Sequence, residues 1–392
     1  MTSKAAALLR RPEAPRAAFL ELFFDLVFVF TLAALAAGLV KNLSWHGAFH
    51  TLVLLLALWM VWTATSGLTD RLDPQHPVVQ LLVLATMFGT LLMAAAAPEA
   101  FDGKGVFFAG TWVVTQVGPA VLVVFLLRGH EAWRAFVRVL FWHCVASVPW
   151  IVGAFTHGVA RDVLWASAVG LECAALAFGL PTPGLGRAYM RPEFAISGEH
   201  LAERHRQLFI VGLGELVLVT GLTFSGSEFG SGQIAAVVVA FVTTALLWRI
   251  YLHRAGSLLA VAIGAAGDPV RASIWALYSH LLMVGGIVPS AIAVELVIEH
   301  PFGHVQPALV AVILGGPTLF LVGRGMFEYA VFGRVSRNRV IGAGLLVVGS
   351  PAMMFLPRLL VAVVPALVLA WIAVTDGIRA RGRPAELPAP PL

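Results

Sequence analysis

Long apolar stretches separated by short polar segments make up almost the whole of this chain of 392 residues. Each stretch holds about 20 residues, the length at which a helix crosses a hydrocarbon core about 30 Å thick. The stretches lack the period-two alternation that marks the strands of a membrane barrel. The pattern therefore predicts transmembrane helices, which satisfy their own backbone hydrogen bonds in lipid. Twelve spans are predicted, at residues 19–40, 48–67, 78–97, 106–127, 137–157, 162–180, 207–224, 232–252, 273–298, 306–322, 339–356 and 358–375.

The positive charges between the spans alternate from rich to poor. The two tails and the even-numbered connections hold 22 of the 26 lysines and arginines. The odd-numbered connections hold only Lys41, Lys104, Arg161 and Arg358. Because Lys and Arg accumulate in short cytoplasmic loops, we expect both termini to lie on the cytoplasmic side. The first apolar stretch is longer than the core of a signal peptide and is expected to remain uncleaved.

The composition agrees with an all-α, polytopic membrane helix bundle. Hydrophobic residues make up 59% of the chain and charged residues 12%, about half the charged fraction of a soluble domain. The net charge of +5 is explained by inner loops that meet anionic lipid headgroups, so we predict membrane lipids as partners and no nucleic acid.

We expect no cofactor and no metal site. Cys144 and Cys173 lie within spans and are interpreted as buried apolar thiols.

The two halves of the chain resemble each other at an offset of about 190 residues. Asp25-Leu-Val-Phe-Val in span 1 matches Glu215-Leu-Val-Leu-Val in span 7, Leu58-Trp59 matches Leu247-Trp248, and Asp73-Pro74 matches Asp268-Pro269. Each half contains six predicted spans, an even number, so the second half would begin on the same side of the membrane as the first. Two such repeats would be parallel, as in transporters whose sites lie between the halves. The predicted organisation is a tail at 1–18, a first six-helix repeat at 19–180, a linker at 181–206, a second six-helix repeat at 207–375 and a tail at 376–392.

Ionisable residues inside the predicted spans are costly to place in lipid and are therefore functional candidates. Glu21 and Asp25 are four residues apart and share one helix face, and Glu215 is the repeat counterpart of Asp25. His280 is either a proton carrier or a histidine hydrogen-bonded to a neighbouring helix. The residues predicted to line a substrate or ion site are Glu21, Asp25, Glu172, Glu215 and His280.

The segment before span 7 carries a second group of polar residues. His200, Glu203 and Arg204 are predicted to converge at the cytoplasmic mouth of the site, because positions i, i+3 and i+4 share a helix face. The alternative is an interfacial helix whose charges face water and lipid headgroups. In the first interpretation Arg204 is the counter-ion of Glu203, Glu215 or Asp25.

Three motifs resemble those of a known family. Leu20-Glu-Leu-Phe-Phe-Asp-Leu-Val-Phe-Val-Phe30, Pro98-Glu-Ala-Phe101, and His200-Leu-Ala-Glu-Arg204 followed by Gly212-Leu-Gly-Glu215 are similar to signatures of the bacterial low temperature requirement A family. The resemblance implies a multi-pass protein of the bacterial cytoplasmic membrane, associated by name with growth in the cold, and it brings no agreed reaction or substrate. The apolar Leu32-Ala-Ala-Leu35 and the polar His205-Arg206-Gln207 depart from the pattern. The residues that match the motifs are Glu21, Phe24, Asp25, Glu203, Arg204 and Glu215.

Transport is the function that these features favour. In a secondary transporter or permeation pathway, Asp25 and Glu215 would face each other and bind a cation, or titrate as an unknown small molecule or ion passes. The alternative is a membrane-embedded enzyme that uses the same carboxylates as general acid and base on a lipid or isoprenoid-like substrate. A further alternative is a structural or sensory membrane protein without turnover. The sequence contains no nucleophile elbow, P-loop or His-rich metal cluster, which argues against the enzyme.

Overall fold

The computed structural model describes residues 7–10, 18–187, 197–253, 255–381 and 387–391. Within these ranges the ordered elements are helices, and β pairing is limited to two isolated bridges. The predicted all-α fold is therefore confirmed. Most of the predicted tails and the middle of the predicted linker lie outside the described residues.

The first of two compact units is Met1–Arg204. Its complete helices are α1 Phe19–Lys41, α2 Trp45–Arg71, α3 Pro77–Ala96, α4 Gly105–Leu126, α5 Trp133–Ala154 and α6 Val159–Ala177, and a short 3₁₀ turn, Ala97–Glu99, extends α3.

Three tryptophans fix the core of the first unit between α4, α5 and α6. Trp112, Trp150 and Trp165 are fully buried. The ring centroids of Trp112 and Trp150 lie 5.3 Å apart, and those of Trp150 and Trp165 lie 5.0 Å apart. Such large rings hold neighbouring helices at a fixed distance and orientation. The three rings therefore join α4, α5 and α6 into one packed core.

The second unit is His205–Leu392, and the boundary between the units falls within helix α7. Its helices are α7 Gly198–Ser225, which begins in the first unit, α8 Ser231–Leu252, α9 Ala255–Ala265, α10 Pro269–Gly285, α11 Ile287–Glu299, α12 Pro307–Phe332, α13 Arg337–Gly349 and α14 Arg358–Ala380. A 3₁₀ turn, Ser350–Phe355, follows α13.

The predicted span at 273–298 is two helices, α10 and α11, that meet at Gly286. A side chain at Gly286 would lie 2.6 Å from the carbonyl oxygen of Gly316, and one at Gly316 would lie 2.7 Å from that of Gly286. The two backbones are therefore in close contact, which small residues allow between membrane helices.

Eleven helical segments in the described part of the chain are long and apolar enough to cross a membrane, with α10 and α11 counted as one. The sixth predicted span, 162–180, corresponds to α6, which this measure does not include, so its crossing of the membrane stays a prediction. That helix has 19 residues and carries Arg161, Asp162 and Glu172, so it is more polar than the others. These three charged side chains are buried in protein, which is how a polar helix is tolerated among apolar ones.

Helix α7 begins at Gly198, so residues 198–206 of the predicted linker are helical, as both interpretations of this segment expected. One local prediction needs correction. Cys144 is exposed and Cys173 is half-buried, whereas both were predicted to be buried. The thiols lie on α5 and α6, and because a thiol behaves as a small hydrophobic group, an apolar face accepts it at little cost.

Candidate functional site

A buried ion pair joins the beginning of α1 to residues 198–204 of α7. Arg204 donates from both terminal nitrogens to the two carboxylate oxygens of Asp25, each at 2.7 Å. The indole nitrogen of Trp62, on α2, donates to the same carboxylate at 2.9 Å. All three residues have less than 2% of their surface exposed. Paired charged hydrogen bonds of this kind fix the position of both side chains.

A histidine bridges two further carboxylates beside this ion pair. His200 Nε2 lies 2.6 Å from Glu21 Oε1, and His200 Nδ1 lies 3.1 Å from an oxygen of Asp70, at the end of α2. The second oxygen of Glu21 accepts the backbone N–H of Ala18 at 2.7 Å. The side chains of Glu21, Asp70 and His200 are all at least 96% buried. The imidazole is therefore held from both sides by acids that are shielded from water.

Helix spacing explains why the two sets of contacts form together. Glu21 and Asp25 are four residues apart, and so are His200 and Arg204, so each pair lies one above the other on a helix face. Both contacts join residues 179 positions apart. Residues 198–204 of α7 therefore run in the same direction as α1, and the two pairs meet in matching order. We call Glu21, Asp25, Asp70, His200 and Arg204 the charge cluster.

The charge cluster contains more acidic than basic groups. Three carboxylates surround one arginine and one imidazole, and Arg204 Nε also lies 3.9 Å from Glu21. Acids outnumber cations whether or not His200 is protonated. Isolated charges at this depth would be costly, whereas each of these acids has a donor or cation beside it. An imidazole changes its charge within the physiological pH range, so the arrangement can bind and release a proton.

The sequence identified four of the five members of this cluster and considered the correct partner of Arg204. Of the three acids considered as its counter-ion, the structure pairs Arg204 with Asp25. Glu203 is half-buried on the same helix. Asp70 and Trp62 were missed. Asp70 stands beside Arg71 at the end of a span, where a charge ordinarily reaches water, so no sequence signal distinguished it.

Glu172 lies in another part of the first unit. Its Oε1 is 2.8 Å from His143 Nδ1, which joins α6 to α5, and both side chains are buried. Its Oε2 has no hydrogen-bond partner among the described residues. His143 is therefore the partner of a predicted site residue.

Glu215 and His280 belong to the second unit. Glu215 is 3% exposed, and its Oε2 has no hydrogen-bond partner within the described ranges. His280 Nδ1 donates to the carbonyl of Ala276 at 2.7 Å, and the hydroxyl of Tyr251, on α8, lies 3.1 Å from its Nε2. The ring of His205 packs against His280, with centroids 4.3 Å apart. His280 thus has the hydrogen bond to a neighbouring helix that was one of its two interpretations.

One group of side chains in the described residues has the arrangement of metal ligands. His46 and His50, at the beginning of α2, and Asp162, in the first turn of α6, offer atoms that all lie within 4.8 Å of one another. The sequence pattern predicted no metal site, because Asp162 is 112 residues away from His50 along the chain.

Comparisons with known proteins agree with the motifs. No solved structure matches this chain. The chain is 34% identical to an uncharacterized protein of Rhizobium meliloti (strain 1021), RA0937, over 366 residues, which cover 92% of this chain and 89% of the relative. The family model described as bacterial low temperature requirement A protein (LtrA) matches residues 16–374. The match covers nearly the whole chain, and the protein is therefore an integral multi-pass membrane protein of the bacterial low temperature requirement A family.

Proposed function

We propose that this protein is a secondary transporter or permeation pathway of the bacterial cytoplasmic membrane, with both termini cytoplasmic, and that the charge cluster links transport to protons. One observation carries the proposal: the imidazole of His200 is held between the carboxylates of Glu21 and Asp70 and beside the Asp25–Arg204 ion pair. Buried acids and histidines within membrane helices commonly form ion pathways and proton relays.

A change in protonation at His200 would affect a connected network. Protonated His200 carries an N–H on each ring nitrogen and a positive charge that attracts both carboxylates, whereas neutral His200 has one N–H and no charge. Loss of the proton therefore weakens one of the two links between residues 198–204 of α7 and the helices α1 and α2. Arg204, one turn further along α7, holds Asp25 on α1. A proton thus alters how α1 and α2 are joined to the first turns of α7, and this is the physical step that couples transport to protons.

Parallel repeats are the architecture we propose for the transporter, and one feature recurs within the two units. Arg161, at the beginning of α6, donates to the carbonyls of Phe101 and Asp102, which follow α3. Arg358, at the beginning of α14, donates to the carbonyls of Leu296, near the end of α11, and His304. Each unit thus has an arginine in the first turn of its last complete helix. In each case the arginine donates to carbonyls near the end of the third predicted span of that half of the chain.

The lipid-acting enzyme requires room for a lipid chain. A cavity in the second unit, lined by Leu216, Ser290, Pro317 and apolar neighbours, has a volume of about 40 Å³. A space of this size holds at most a few water molecules, and no lipid chain. It gives no support to an enzyme site there, and transport remains the proposal.

Proton flux into liposomes tests the proposed function. Purified protein is reconstituted with an internal pH-sensitive dye, and acidification is followed after a pH step in the presence of Na⁺ or K⁺. Asp25→Asn keeps the side-chain volume and the acceptor for Trp62 but removes the charge, so flux should fall while the protein still accumulates. Glu99→Gln, which alters an exposed pair with Lys104, is the matched control and should leave flux unchanged.

The role of Glu215 is tested in the same assay. Glu215→Gln should also lower the flux, and its effect should be less than additive with Asp25→Asn if the two acids act as one unit. Wild-type flux no greater than that of empty liposomes would contradict the transport proposal. Equal flux from wild type and Asp25→Asn would assign the motif acid to folding instead.

A further inference from the structure

We propose that His46, His50 and Asp162 form a binding site for a divalent transition-metal ion, with Zn²⁺ as the probe. The site is distinct from the charge cluster. His46 and His50 begin α2, whereas Asp70 ends it, and at 1.5 Å per residue the two places are roughly 30–36 Å apart along the helix. By the predicted topology the metal site lies on the side of the membrane opposite to the cytoplasm.

The distances between the ligand atoms suit one small ion. His50 Nε2 lies 2.9 Å from Asp162 Oδ1, and His46 Nε2 lies 3.8 Å from Asp162 Oδ2. Ligands about 2.0–2.1 Å from a tetrahedral zinc ion are about 3.3 Å from one another. The two distances to Asp162 lie on either side of this value, and the three ligand atoms all lie within 4.8 Å of one another.

Helix geometry gives the two imidazoles a common direction. His46 and His50 are one turn apart on α2, with ring centroids 4.1 Å apart. Two histidines at this spacing on one helix can bind the same ion. Asp162 supplies the third ligand from α6, so an ion would join the beginnings of the two helices.

The set of ligands selects the class of metal. Two imidazoles and one carboxylate form the three-ligand set of many open zinc sites, in which a water or a substrate takes the fourth position. Mg²⁺ and Ca²⁺ prefer oxygen ligands, of which this group offers one residue. The side chain of His46 is 59% exposed, and that of Asp162 is 12% exposed. The fourth position would therefore open to solvent on the His46 side.

Surrounding residues hold two of the ligands in place. The ring of Phe101 stacks on His50 at 3.6 Å between centroids and an angle of 3°. The buried Arg161, which precedes Asp162, donates to the carbonyl of Phe101 at 2.7 Å. A side chain at Gly105 would lie 2.8 Å from the guanidinium, so the glycine leaves room for it. The Pro98–Phe101 motif, which the charge cluster does not use, thus orients one histidine.

A simple hydrogen bond between His50 and Asp162 is the competing explanation. It accounts for the 2.9 Å contact but needs no second histidine. His46 therefore decides between the two explanations. Its side chain is largely exposed, so its replacement by alanine removes a ligand while leaving the core intact.

Zinc binding to the purified full-length protein tests the proposal. The chain is purified with a histidine-free affinity tag, stripped with a chelator and placed in lipid nanodiscs. Bound Zn²⁺ is measured by equilibrium dialysis and elemental analysis, and its affinity by competition with a chromophoric chelator. Wild type should bind one Zn²⁺ per chain. His46→Ala should weaken binding by more than the roughly 10- to 100-fold loss typical of changes around a metal site.

A histidine outside the site provides the control. His304 is exposed, in another odd-numbered connection, and His304→Ala should bind Zn²⁺ as wild type does. Asp162→Asn is a second variant that should lose affinity, with elution in gel filtration showing that it is folded. Equal affinity in wild type and His46→Ala, or no binding by wild type above that of nanodiscs without protein, would overturn the proposal.

Discussion

Removal of Arg204 tests whether this residue neutralises Asp25 inside the protein. Arg204→Met keeps a long side chain and deletes the charge, which leaves Asp25 buried with only the indole of Trp62 as donor. Asp25 has no exposed surface, so solvent does not compensate for the loss. Breaking a buried ion pair at one partner costs about 3–5 kcal/mol. That cost corresponds to roughly two to four decades in the ratio of folded to unfolded protein.

Removal of the Asp25 charge should lower the free energy of unfolding by less than removal of the Arg204 charge. Asp25→Asn keeps an acceptor for Trp62 and leaves Arg204 with Glu21, whose oxygen is 3.9 Å from the guanidinium. We expect a loss of about 1.5–3 kcal/mol, the range for a hydrogen bond to a charged group. In the double variant neither charge remains. It should therefore be more stable than Arg204→Met alone, although it carries one substitution more.

Unfolding of the purified proteins by SDS, followed by tryptophan fluorescence, measures this order. The expected order of stability is wild type, then Asp25→Asn, then the double variant, then Arg204→Met. Lys104→Met is the control, because the Lys104–Glu99 pair is about half exposed and such pairs contribute about 0–1 kcal/mol. A double variant no more stable than Arg204→Met would refute the argument that Asp25 is the charge Arg204 neutralises.

Three further predictions concern other parts of the molecule. Reporter domains fused after residues 45, 102 and 300 should lie outside the cytoplasm, and a cytoplasmic signal at any of them would contradict the predicted topology. Arg161→Met should lower the free energy of unfolding by more than about 3 kcal/mol, because several buried carbonyls lose a donor. An unchanged midpoint of unfolding in SDS would contradict this prediction. His143→Phe should lower the free energy of unfolding by about 2 kcal/mol, because it deprives Glu172 of its partner. The additional substitution Glu172→Leu should restore part of this loss, as measured by the same SDS titration.

The apolar pattern predicted most of the fold because a bilayer leaves few alternatives to the helix. Eleven of the twelve predicted spans correspond to helical segments able to cross a membrane. The exception, α6, has its charges buried against other helices, and hydropathy along a single chain does not contain that information. Residues 198–206 were expected to be helical, but the sequence left open whether their charges face a site or water and lipid headgroups. In the structure His200 and Arg204 are paired with acids of α1.

Residues of the candidate site were predicted from their spacing within single helices. Spacing of four residues identified Glu21 with Asp25 and placed His200 near Arg204, because that periodicity is local. The sequence did not identify Asp70, Trp62 or the His46–His50–Asp162 group. These contacts depend on how α2 is rotated against α1 and α6, and tertiary packing rather than periodicity determines that rotation. The pairing of Asp25 with Glu215 stays a prediction.

The pH dependence of flux in a His200→Gln variant tests the proton link most directly. Glutamine can hydrogen-bond to both neighbouring carboxylates, yet it has no charge to change between pH 5 and pH 8. Liposomes with wild-type protein should show proton-coupled flux that varies across this range, whereas liposomes with His200→Gln should show a small flux with a flat profile. Flux of the same size and the same pH dependence in both would contradict the role of His200 as the proton-binding group.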